Sequence, residues 1–175
     1  MIRTENTVSV ASQKEWINLL VEEKIFAFNE WRMKNPKNLI IRLDISGKDL
    51  SNKDLSGAYL NGISCIGTNF SHCNLSKVNF VQADLRGANF EEANLTDALL
   101  MYTEMKDCNL RKANLIRTNL MFANLQNSDL SGCKVSKTVL TEADMRNAKV
   151  IDVDKNGAYL NHAKLQETAW QIEQQ

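Results

Sequence analysis

The chain has 175 residues, with 21 Lys plus Arg against 21 Asp plus Glu, and so a formal net charge of zero. That length supports one domain with a sizeable core. The charge balance argues against a nucleic-acid binder, which needs excess Lys and Arg to neutralise phosphates.

The first residues, Met1-Ile2-Arg3-Thr4-Glu5-Asn6, hold no apolar signal core, and no stretch is long enough to span a membrane. A cytoplasmic protein is expected. Ser12-Gln13-Lys14-Glu15 has the spacing of a capping box, which predicts a helix start there. Trp16, Ile17, Leu19, Leu20, Ile25, Phe26, Phe28 and Trp31 follow among charged residues, an amphipathic helical pattern. The expected element is one helix, or a pair broken near Glu23, stopping before Pro36, the only proline.

From Ile45 to Trp170 a beat of five takes over. Of the 26 positions numbered by a multiple of five, only Lys155 is not apolar. Two places earlier the residue is Ala, Ser, Thr, Cys or Val in 22 of 26 cases. A period of five suits neither standard element. Five helical steps leave each repeat rotated by about 140°, and an odd spacing flips a strand from face to face. The chain must turn once per repeat. The small and large residues point inward, the residue between them points out, and the other two make a corner. Ala83-Asp84-Leu85-Arg86-Gly87 and Ala123-Asn124-Leu125-Gln126-Asn127 are representative. Asp, Asn, Ser and Gly suit such corners, so the carboxylates are turn-makers rather than catalysts.

This pattern resembles the pentapeptide repeat family, with its Ala-(Asp/Asn)-Leu-x-x signature, over about residues 41–170. The resemblance implies a β-solenoid: a right-handed, four-sided (quadrilateral) β-helix with 20 residues per coil, about six and a half coils here. The expected organisation is an α-helical cap in residues 1–40, a β-helix over 41–170 and a tail at 171–175. Phe28-Asn29-Glu30-Trp31-Arg32 leading into Leu43-Asp44-Ile45-Ser46-Gly47 resembles the helical lead-in of many bacterial, especially cyanobacterial, members. Some members mimic DNA with an acidic surface and inhibit or protect DNA gyrase or topoisomerase. Residues 41–170 carry 15 acidic and 15 basic side chains, which disfavours that alternative.

Some positions depart from the beat. Lys48 and Lys53 take small inward sites of the first coil. An unpaired charge cannot stay in a core, so both are expected at the open end or snorkelling outward. Ile63 and Cys65 invert the small and large order, and Asp152-Val153-Asp154-Lys155-Asn156-Gly157 predicts a local loop-out. The open ends of a β-helix invite aggregation, so the N-terminal helix is expected to cover one of them. Trp170 and Ile172 are expected to cover the other, where the sequence suits strand or helix equally.

Cys65, Cys73, Cys108 and Cys133 all fall on inward sites and match no zinc spacing. They are expected as buried free thiols, which points to a reducing compartment. His72 and His162 sit at corners of different faces, and no phosphate loop, Ser-His-Asp order or metal cluster is evident. No enzymatic activity, cofactor, metal or small-molecule substrate is expected.

Residues 20 apart share a side, so the outward sites sort into four faces. On the face built around Leu60, Phe80, Leu100, Leu120, Leu140 and Leu160, nine of 18 outward sites are apolar or aromatic: Tyr59, Val81, Leu99, Met101, Tyr102, Met121, Phe122, Val139 and Tyr159. Only Glu142 is charged. The other three faces together have five apolar residues in 60 such sites: Ile66, Ile116, Ile151, Ala169 and Ile172. The face around Leu75, Leu95, Leu115 and Val135 carries Lys77, Arg117, Lys134 and Lys137, partly offset by Asp54 and Asp97, as a solvated face does. Contiguous apolar area with aromatics and Met but few charges is the composition of an interface centre. The expected role is protein binding or self-association through Val81, Leu99, Met101, Tyr102, Met121, Phe122 and Val139. Nucleic acid and membrane are not expected partners.

Overall fold

The structure, a computed structural model, describes residues 10–34 and 43–171. Two helices, α1 (Val10–Val21) and α2 (Ile25–Lys34), precede a rod of stacked turns. The capping box does not start α1, because helical backbone already runs from Val10 and places Ser12 inside the helix. The break near Glu23 is present. Glu23 has φ 58°, its N–H donates to Leu20 O, and the Lys24 N–H donates to Leu19 O. That pair of bonds is a Schellman stop. α2 ends at Lys34, and Pro36 lies outside the described residues.

The rod is a right-handed quadrilateral β-helix. Parallel bridges join residues 20 apart from Asp44↔Ser64 to Asp144↔Lys164. One repeat accounts for its own backbone donors. The Leu85 N–H reaches Glu104 O in the next coil and the Asp84 N–H reaches Ile63 O in the previous one. The Gly87 N–H also bonds onward, to Lys106 O, while the Ala88 N–H closes a turn on Leu85 O. The fifth donor belongs to the first corner residue and has no backbone partner in this scheme. The outward Asp or Asn two places earlier accepts it, as Asp49 Oδ1 does from the Ser51 N–H at 3.0 Å. This is why the middle position selects Asp and Asn. The second corner residue has positive φ in every repeat from Gly47 to Glu167, as a type II turn requires.

The large residues fill the rod, with Phe70, Phe80 and Phe90 in mutual ring contact. Small polar residues inside are satisfied by one recurring bond. The hydroxyls of Thr68, Thr118, Ser128 and Thr138 and the thiols of Cys73, Cys108 and Cys133 each donate to the carbonyl 23 residues back. All four cysteines are buried and none is in a disulfide. Burial pushes the thiols of Cys73, Cys108 and Cys133 up to about 11, 12 and 12.

α2 lies along the open edge of the first coil and supplies the contacts a preceding coil would. Asn29 Oδ1 accepts the Tyr59 N–H at 2.8 Å, and its Nδ2 donates to Gly57 O at 2.9 Å. The buried Arg32 guanidinium donates to Asn61 O at 2.7 Å. Trp16, Phe28 and Trp31 pack with ring centroids 6.1–6.3 Å apart between the helices. Lys48 is exposed and Lys53 reaches outward to Glu23 at 3.3 Å, so both charges escape the core.

At the other end the ladder fails locally. Among the described residues Lys134 has no bridge to residue 154, and the Lys137 N–H reaches Gly157 O instead of the carbonyl of residue 156. The beat resumes at Val139↔Tyr159. The last described residues, 166–171, form turns and not a helix: Thr168 Oγ1 donates to Leu165 O, and the Gln171 N–H donates to Thr168 O. Trp170 is buried against the core, and Ile172 lies outside the described residues.

Candidate protein-binding face

The wall around Leu60, Phe80, Leu100, Leu120, Leu140 and Leu160 faces inward with those side chains and outward with three columns of others. Tyr59, Leu99, Tyr102, Phe122 and Tyr159 are exposed. Val81, Met101, Met121 and Val139 are half-buried beside them. The stacking brings all seven predicted residues onto one wall. Tyr102 lies on Phe122 with ring centroids 4.9 Å apart and planes 9° from parallel.

Two local features of this wall depart from the commonest turn residues, as some repeats of the other walls also do. Tyr102 and Phe122 occupy second-corner sites with φ 59°. Left-handed backbone costs a residue with a Cβ about 1–2 kcal/mol, and Gly, Asn or Asp is the usual occupant. Leu99 and Val139 occupy middle sites where Asn79 and Asn119 accept the N–H of Val81 and Met121. Leucine and valine have no acceptor, so Met101 and Thr141 go without that turn bond.

Several charges on the other walls are paired, some of them along the stack. Arg117 clasps Asp97 at 2.6 and 2.8 Å, and Lys112 meets Glu92 at 3.2 Å. Arg146 clasps Asp144, which also accepts from Gln126, and Arg146 is the first cause of an Asp144 carboxyl pushed down to about 2. Asn69, Asn89 and Asn109 form a side-chain ladder with Asp49 at its head.

Among the described residues no group of three His, Cys, Asp or Glu could hold a metal, and no helix is long and apolar enough to cross a membrane. An open depression of about 510 Å³ lies beside the ladder break, lined in part by Val153, Lys155 and Trp170.

Sequence reasoning missed one addition to the wall. Phe26 and Met33 of α2 are exposed, at 78% and 66%. Around the helix, the buried Phe28 faces the rod interior and Arg32 and Asn29 face the rim. Phe26 and Met33 come next at helical spacing, so they project outward beside Tyr59. Their seven-residue spacing was a visible signal, but only the seating of α2 gives it a direction.

A family model described as pentapeptide repeats matches the chain with eight copies, over residues 54–91, 63–101, 79–117 and 118–154. Among solved structures, the chain is similar to HetL of the cyanobacterium Nostoc sp. strain PCC 7120, a pentapeptide repeat protein involved in heterocyst differentiation regulation. The identity is 24% over 69% of this chain and 63% of HetL, with a TM-score of 0.52. This chain thus spans less than two thirds of HetL's length. A pentapeptide repeat protein from the Arabidopsis thaliana thylakoid lumen is 32% identical over 58% of this chain and 70% of its own, with a TM-score of 0.38. QnrB1, a plasmid-mediated fluoroquinolone resistance protein, is 16% identical over 75% of this chain and 94% of its own, with a TM-score of 0.44. No curated protein matches the sequence.

Proposed function

The chain belongs to the pentapeptide repeat family, and on that premise we propose that it is a non-enzymatic, rigid scaffold that binds protein through the wall centred on Met101, Tyr102, Met121 and Phe122. One observation carries the reading. Nine of the 18 outward sites of this wall are apolar and one is charged, whereas five of 60 are apolar elsewhere. Monomers seldom leave a contiguous apolar area uncovered beyond a few hundred Å². The remaining walls carry ion pairs and asparagine ladders that suit solvent.

The test is a pull-down from native-host extract with wild type and with Met121→Glu plus Phe122→Glu. Both substituted side chains point outward, so the fold is retained, which circular dichroism would verify. A protein held by wild type and released by the double variant supports the reading. Equal recovery by both, with the fold intact, rejects it.

A further inference from the structure

We infer that the partner of this wall is a second copy of the same chain, packed face to face in antiparallel fashion about a two-fold axis perpendicular to the rod. The inference rests on the reading above. Its ground is the way the apolar residues are distributed. Leu99, Met101, Tyr102, Met121 and Phe122 crowd the two middle coils. A lone apolar residue then marks each coil on either side, ending in Tyr59 at one extreme and Tyr159 at the other. The wall is therefore close to palindromic along the rod in its first-corner column, Val81-Met101-Met121-Thr141, and at its Tyr59 and Tyr159 ends, while Leu99 and Val139 mirror Asn119 and Asn79. An isologous interface must be self-complementary, residue i of one copy meeting residue j of the other while j meets i, and a near-palindrome of apolar residues meets that condition. A foreign partner would impose no such symmetry.

The register follows from the centre of the palindrome, between the coil of Tyr102 and that of Phe122. Columns then face themselves in reverse order. Met101 meets the second copy's Met121, Tyr102 meets its Phe122, and Tyr59 meets its Tyr159. Glu142, the one charge on the wall, stands opposite the second copy's Gln82, an amide that can donate to it. In a parallel arrangement the columns would mirror across the wall, and Glu142 would face the second copy's Val139, a covered charge without a partner. Flat walls of this kind pack about 10 Å apart with interdigitating side chains.

The area sets the strength. Six coils at about 4.8 Å give a strip roughly 29 Å long, and at roughly 15 Å wide it projects to about 400 Å². A stable interface buries about 800 Å² on each partner, so the pair should be reversible. Phe26 and Met33 extend the strip past Tyr59, over the C-terminal end of the second copy.

Sedimentation velocity of the full chain over a concentration series tests this, with Met101→Lys and Met121→Glu made singly. Wild type should dimerise. Each single variant should dimerise at least about 100-fold more weakly, because a buried charge would face methionine. Mixing the two variants should restore a heterodimer to within about tenfold of wild type, because the introduced ammonium of one copy would face the introduced carboxylate of the other. Absence of rescue overturns the antiparallel pairing. Wild type that stays monomeric overturns the self-association. In that case capture of another protein that Met121→Glu plus Phe122→Glu releases would leave the scaffold reading standing.

Discussion

The ring of Tyr102 lies on the ring of Phe122 at 4.9 Å, although both residues sit at φ 59°. Left-handed backbone costs each residue about 1–2 kcal/mol, while a stacked aromatic pair returns about 0.5–1.5 kcal/mol in all. Lys77, Lys112 and Arg117 on other walls carry the same corner backbone, so what is particular to this pair is the exposed stack, which serves either the rod or a partner. Phe122→Gly separates the two explanations. It should leave thermal stability within about 1 kcal/mol of wild type, a shift of a few degrees in Tm, while abolishing association. A loss of more than about 3 kcal/mol would identify the stack as a structural ladder.

Leu99 offers the reverse experiment. Leu99→Asn restores an acceptor for the Met101 N–H and joins Asn79 and Asn119 in one column. The variant should gain about 0.5–1 kcal/mol in urea unfolding and bind more weakly. Destabilisation would mean that Leu99 packs for the rod's sake.

The asparagine ladder makes a prediction on another wall. Asn89 Oδ1 accepts from the Glu91 N–H and from Asn109, and its Nδ2 donates to Asn69. Asn89→Ala removes all three bonds and should cost about 1–3 kcal/mol. Asn89→Asp keeps both acceptor roles and loses only the donor, so its unfolding midpoint should fall between those of wild type and Asn89→Ala.

How much of this was legible follows from what repeats. The beat from Ile45 to Trp170 dictated the coil, and residues 20 apart could be stacked from sequence alone, so the apolar wall was visible before the fold. The role of Asp and Asn as turn acceptors was legible for the same reason. Features that occur once were not. Ser12 has a capping-box neighbour in Glu15, but nothing in Val10-Ala11 stops a helix from beginning earlier. The grip of Asn29 and Arg32 on residues 57–61 depends on how α2 is seated, which no local pattern encodes. The strain at Tyr102 and Phe122 needed the positive φ of the second corner, which the repeat only hints at through Gly47, Gly57 and Gly62.

Acid should weaken the rod through Asp144. The Arg146 guanidinium holds the folded carboxyl at about 2, below its unfolded value near 3.9. A depressed folded pKa contributes stability above the unfolded value and loses it as pH falls from about 4 to about 2. The side chain is 14% exposed, so up to roughly 2 kcal/mol should disappear across that window. Asp144→Asn should flatten this part of the pH profile of denaturant midpoints. An unchanged slope would place the acid sensitivity elsewhere.

The buried thiols should be silent. With Cys73, Cys108 and Cys133 pushed to about 11 or 12, a thiol reagent at pH 8 should modify none of the four cysteines in the native rod and all four in denaturant. Rapid native labelling of any of them would show that the coil opens there.

The most direct measurement is hydroxyl-radical footprinting of the tagged protein in native-host extract, with untagged chain added to the concentration at which it self-associates, against the dilute purified chain. The account predicts that Met101, Tyr102, Met121 and Phe122 become protected in extract, while Ile66 and Ile116 on other walls stay equally reactive. Unchanged reactivity at all four, or protection confined to another wall, would contradict it.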